Sequence, residues 1–169
     1  MKPLRIILAA TLALGACTRA TDPTGTADKD AVLQHNKALV TEYFDRVWNH
    51  GDIDALDTLL APGYINHTPS IKGADSSIRG LKPIVQSLRK GIPDVHYAIQ
   101  DIIATEDAVV ARLVVTGTQT DTLFGLPPTG KTFRVNQVNI EHIKNGRIAG
   151  HWRVTDELEM MKQLGAVHF

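Results

Sequence analysis

The chain has 169 residues, 43% of them hydrophobic and 21% charged, and its 18 basic and 18 acidic side chains give a formal net charge of zero. That balance is globular rather than disordered, and it offers no bulk electrostatic attraction to nucleic acid or an anionic surface. No basic run adds a local one, so no nucleic-acid partner is expected.

The first stretch reads as an export signal. Lys2 and Arg5 supply a positive start, and Ile6 to Leu14 is an apolar core well short of the ~20 residues that a spanning helix needs. It ends in Leu14-Gly15-Ala16-Cys17, which resembles the bacterial lipoprotein box. The resemblance implies a signal peptide over 1–16 and a diacylglyceryl anchor on Cys17. The mature protein would then hold the membrane through lipid alone, on the envelope side. Thr18 rather than Asp after the cysteine points to the outer membrane if there are two. Cys17 is the sole cysteine, which excludes an intramolecular disulfide and a thiol nucleophile in the domain. Residues 17–30 form a polar linker rich in Thr and Asp, and 31–169 form one domain.

From Asp30 to Trp48 the spacing of Leu33, Leu39, Val40, Tyr43, Phe44, Val47 and Trp48 predicts a helix, stopped by Gly51. Asp52 can cap a second short helix over Ile53 to Leu60. Ala61-Pro62-Gly63 breaks it, and Tyr64 to His67 is a short extended segment. Gly80 to Lys90 reads as a third helix, started near Gly80 so that Pro83 falls in its first turn. Strands are expected over Val95–Ala104, Ala108–Asp121, Lys131–Lys144 and Arg147–Thr155, and a final helix over Asp156–Leu164 ends at Gly165. Helices followed by an antiparallel meander make an α+β order, with helices on one face of a curling sheet and room for a small-molecule pocket between them.

The last hairpin, Val135 to Asp156, is the stretch with chemistry in it. Asn145-Gly146 is a strong two-residue turn signal. Gln137, Asn139 and Glu141 share one parity of the first strand, and His151, Arg153 and Thr155 share one of the second. The other parity carries Val138, Ile140, Trp152 and Val154, an apolar stripe suited to core or dimer packing. Two other motifs lead nowhere. Gly125 to Thr132 matches the phosphate-loop pattern, but Pro127 and Pro128 remove backbone donors and a strand follows instead of a helix. The seven histidines include no HxxxH or HExxH pair, so no metal site is expected.

The segments WNHGDIDALDTLLAPGYINH, VTGTQTDTLFGLPPTGKTF and IKNGRIAGHWRVTDELEMMKQLG resemble the SnoaL-like polyketide cyclase family, of the nuclear transport factor 2-like superfamily. The resemblance spans about Lys37 to Gly165. It implies a cone-shaped α+β fold with a curved antiparallel sheet packed on N-terminal helices, commonly a homodimer, and chemistry without metal or organic cofactor. It also implies a cavity in which Asn66 and Gln137 match pocket positions; Tyr64 shares the strand parity of Asn66 and is expected to add an aromatic wall. Asn139 stands where the family has histidine, and Arg153 where the cyclases have their catalytic aspartate. A guanidinium cannot take a proton near neutral pH, but it can clamp a carboxylate or an enolate-like anion. Three readings follow for this chain. In the first, a small carbonyl- or carboxylate-bearing molecule is oriented by Gln137 and Asn139, with Arg153 holding the anion and His151 moving the proton. In the second, the same pocket binds without catalysis. In the third, the domain chiefly dimerises.

Overall fold

The computed structural model describes residues 23–70, 73–123 and 125–167. The expected signal over 1–16 and the anchor at Cys17 lie outside them. Helix α1 (Pro23–Glu42) starts ahead of the expected Asp30, in the stretch read as linker. It runs into a π-helical segment, Tyr43–Asn49, that turns Tyr43, Phe44, Val47 and Trp48 inward. Asn49 closes this segment onto the sheet: its Nδ2 donates to the Tyr97 carbonyl at 3.2 Å, and its Oδ1 accepts from the Tyr97 amide at 2.7 Å.

The second helix shrinks to α2 (Leu56–Leu59), whose N-cap is Ala55 rather than the expected Asp52; the Asp52 Oδ1 instead accepts from the Ala55 amide in the turn ahead of the helix. Leu60 then begins strand β1 (Leu60–Asn66), which is longer than the expected segment from Tyr64. Helix α3 (Ile78–Gly91) starts earlier than Gly80, so Pro83 stands beyond the first turn, on an exposed position. The earlier start follows from Asp75, whose carboxylate accepts from the Ser77 amide and fixes the entry to the helix.

Strands β2 (His96–Ala104), β3 (Ala108–Thr118), β4 (Thr132–Lys144) and β5 (Arg147–Thr155) form the expected antiparallel meander. The order in the sheet is β1-β5-β4-β3-β2, and β1 joins the edge parallel to β5. Strand β3 stops at Thr118, short of Asp121, because the next residues serve a loop. Buried Gln119 donates to the carbonyls of Leu126 and Pro127 and accepts from the Thr129 hydroxyl. The segment resembling a phosphate loop is thus a connector built around one glutamine. Helix α4 (Glu157–Leu164) is capped by Asp156, which accepts from the Glu159 amide, and closed by Gly165 at φ +74°.

The β4–β5 turn has Asn145 at φ +52° and Gly146 at φ +69°, as a type I′ hairpin demands. A plain two-residue turn would pair Asn139 with Trp152. Instead His142 pairs with Gly150 and Ile143 with Ile148, leaving Ala149 as an inserted residue. This bulge resets the register, so that Asn139 faces Arg153 and Glu141 faces His151.

The core fills the space between helices and sheet, with Tyr43, Phe44, Leu56, Leu60, Leu113 and Ile148 fully buried. Gly117 in β3 faces Ile92, itself fully buried, and an added Cβ there would strike the Ile92 Cγ2 atom. Gly117→Ala is therefore expected to destabilise the fold by about 1–3 kcal/mol, the range of overpacked cores, as read from urea unfolding. An unchanged midpoint would refute this packing.

Candidate functional site

The inward face of β4 alternates strictly, with Phe133, Val135, Gln137, Asn139 and Glu141 buried and the residues between them exposed. The polar parity of the hairpin is thus the inner one. Val138 and Ile140 (each 39% exposed) and Val154 (75%) face outward, which overturns core packing for that stripe. Outside, Trp152 stacks on His67 with ring centres 3.9 Å apart, and His142 leans on it at 4.6 Å. His67 and His142 therefore sit across the sheet from His151. Among the described residues, no cluster of three His, Cys, Asp or Glu side chains could hold a metal.

Two adjoining cavities lie under the inner face. The first is a polar cell of about 20 Å³, lined among others by Trp48, Asn66, Gln137, Asn139, His151 and Arg153. That is room for about one water molecule. The second is an apolar chamber of about 170 Å³, walled by Leu88, Ile92, Val115, Leu123, Phe133 and Met160 among others. Tyr97, Gln137 and Arg153 line both and form the junction.

Each polar side chain is held by its neighbour. The Thr155 hydroxyl donates to Gln137 Oε1 at 2.9 Å, and Gln137 Nε2 donates to Asn139 Oδ1 at 3.0 Å. This fixes both amides by their hydrogen bonds and leaves Asn139 Nδ2 buried without a partner. His151 Nδ1 lies 2.8 Å from Glu141 Oε1, with Glu141 fully buried and the His151 side chain 8% exposed. Asn66 is level with His151 in the β1–β5 pairing, and its Oδ1 accepts from the Thr68 amide. Arg153 anchors its backbone amide on the Thr68 hydroxyl, while its Nη2 reaches Ser70 Oγ at 3.1 Å and Glu157 Oε1 at 3.3 Å. Burial pushes the Tyr97 phenol up to about 12, with the Arg153 charge partly opposing that rise. A neutral phenol therefore stands at the junction.

Asn66, Gln137, Asn139, His151 and Arg153 converge as the sequence suggested. Tyr64 does not: it is buried outside both linings, beside Tyr43 and Glu141. Its strand parity is right, but it lies too deep in the core to wall the cavity. The sequence reading missed Trp48 and Tyr97. Trp48 reads as part of an apolar helical stripe, and nothing in the β2 sequence distinguishes Tyr97 from a core aromatic.

The model of the SnoaL-like polyketide cyclase family matches residues 38–164. The chain is 27% identical over 120 residues to nogalonic acid methyl ester cyclase of Streptomyces nogalater, covering 70% of this chain and 89% of that protein. It is likewise 27% identical over 108 residues to aklanonic acid methyl ester cyclase DnrD of Streptomyces peucetius, covering 63% and 71%. Among solved structures, TsrD from Streptomyces laurentii superposes with a TM-score of 0.72 at 28% identity, over 79% of this chain and 97% of that one.

Proposed function

We propose that this chain, which belongs to the SnoaL-like polyketide cyclase family, binds a small carbonyl- or carboxylate-bearing molecule and moves a proton on it without metal or organic cofactor. One observation carries the reading. Gln137, Asn139, His151 and Arg153 line a single small polar cell, and Gln137, Arg153 and Tyr97 also line the apolar chamber that adjoins it. The apolar body of a ligand fits the chamber, whose volume is close to the ~150 Å³ that accommodates benzene in an engineered protein cavity. Its oxygen-bearing end then meets the Arg153 guanidinium and the unpartnered Asn139 amide hydrogens. Both are donors suited to an oxyanion. His151 alone among these groups can accept and return a proton near neutral pH.

A second reading has its own support. The Arg153 guanidinium occupies the position that resemblance gives to the cyclases' acid, and Glu157 already pairs with it. The pocket would then bind its ligand and release it chemically unaltered. The outward stripe of Val138, Ile140 and Val154, with Ile65 beside it at 48% exposure, supports a homodimer formed through that face. The lipoprotein-like start of the chain supports an envelope protein held by lipid at Cys17.

Mass spectrometry of small molecules that co-purify with the domain supplies the ligand. His151→Ala is expected to slow its turnover by about 10²–10⁴-fold, and Arg153→Ala to raise KM and lower kcat. If both variants turn it over like the wild type, these roles are wrong, and recovery of the ligand unaltered from the wild type decides for the binding reading. For the dimer, Val154→Asp is expected to give monomers in sedimentation equilibrium, and a wild type that is itself monomeric overturns it. Labelled palmitate should enter the wild type and not Cys17→Ser; equal incorporation refutes the anchor.

A further inference from the structure

We propose that Glu141 is the positioning residue of a buried carboxylate–imidazole pair that holds His151 as its Nδ1–H tautomer and turns a free Nε2 toward the polar cell as the proton acceptor. This deepens the reading of the cavity as a proton-transfer site, and it rests on that reading.

Glu141 stands directly opposite His151 in the bulge-shifted register, with Oε1 2.8 Å from Nδ1. An ionised carboxylate can only accept a hydrogen bond, so the proton of this contact belongs to Nδ1. A neutral ring then keeps its lone pair on Nε2. Nε2 makes no hydrogen bond to the described residues, and the ring lines the cell beside Asn66, Asn139 and Arg153.

Glu141 is fully buried, with phenols among its neighbours. Its Oε2 has no partner, and neither do Tyr43 Oη, Tyr64 Oη and Trp48 Nε1, all of them buried. Burial, then the neighbouring phenol and Glu141, push the Tyr43 phenol up; burial, then Glu141, push up that of Tyr64. Both therefore stay protonated and can donate. Two phenols thus lie near enough to Glu141 to feel its charge, and a hydroxyl can rotate to donate to a neighbouring acceptor.

The step balances without a further reactant. Nε2 takes the proton from a carbon beside the ligand carbonyl. The C–H electron pair becomes the enolate C=C bond, and the C=O pair moves onto oxygen. Arg153 and Asn139 Nδ2 supply hydrogen bonds for that oxygen. The imidazolium, its charge balanced by Glu141, then returns the proton to carbon or to an alkoxide formed by ring closure.

The test is a long-range proton–nitrogen NMR spectrum of the ¹⁵N-labelled chain at about pH 8, with the His151 signal assigned by its loss in His151→Asn. The wild type should show a protonated Nδ1 and an unprotonated Nε2. Glu141→Leu, which removes the acceptor, should release the ring to its Nε2–H tautomer, and should lower kcat with KM little changed. An Nε2–H ring or a doubly protonated ring in the wild type overturns the proposal. So does a tautomer unmoved by Glu141→Leu. If that variant does not fold, the wild-type spectrum decides by itself. No ligand enters this measurement, so the pairing can stand where turnover fails, and turnover can stand where the pairing fails.

Discussion

The structure depends on a hairpin that is turned inside out. Strand β4 sends Gln137, Asn139 and Glu141 into the interior and leaves Val138 and Ile140 outside, against the usual alternation of a sheet with one wet face. Burying such groups costs roughly 1–3 kcal/mol for each one left without a hydrogen bond. The fold offsets this along two short chains: Thr155 to Gln137 to Asn139, and His151 to Glu141. Both cross from β5 to β4, so each requires the strands to be in one register only.

That register is the work of Ala149. Without the inserted residue, Asn139 would face Trp152 and every cross-strand pair below the turn would slip by one, placing the partners on opposite faces. The bulge brings the polar residues of both strands to the same side and directs the Trp152 ring outward to stack on His67. One residue in the backbone thus separates a polar interior from an aromatic exterior.

The helices complete what the hairpin begins. The π-helical segment ends the first helix with Tyr43 and Trp48 both buried, Trp48 lining the polar cell, and Asn49 pins that segment to β2 beside Tyr97. Arg153 stands where the two cavities meet, held by Ser70 and Glu157, its charge partly desolvated at 22% side-chain exposure. Water-poor walls strengthen whatever that charge acts on. The site therefore combines a fixed cation, oriented amides and a paired imidazole within one sheet face.

Much of this was legible in the chain itself. The alternation after Val95 and the turn chemistry of Asn145-Gly146 determined the meander, and β5 has the bounds its sequence predicts. Resemblance of three segments grouped Asn66, Gln137, Asn139, His151 and Arg153 about one cavity. What parity alone could not say is which face of the hairpin is the inside. Hydrophobicity favoured the Val138–Ile140–Val154 face for packing, and only the helices laid over the opposite face decide otherwise. Tyr64 shows the same limit, since strand parity gives a direction but not a depth. The pairing of Glu141 with His151, and the ring of Tyr43, Tyr64 and Trp48 behind it, were likewise beyond sequence reasoning. They join residues from a helix and three strands, and only long-range packing sets the distances among groups so far apart in the chain.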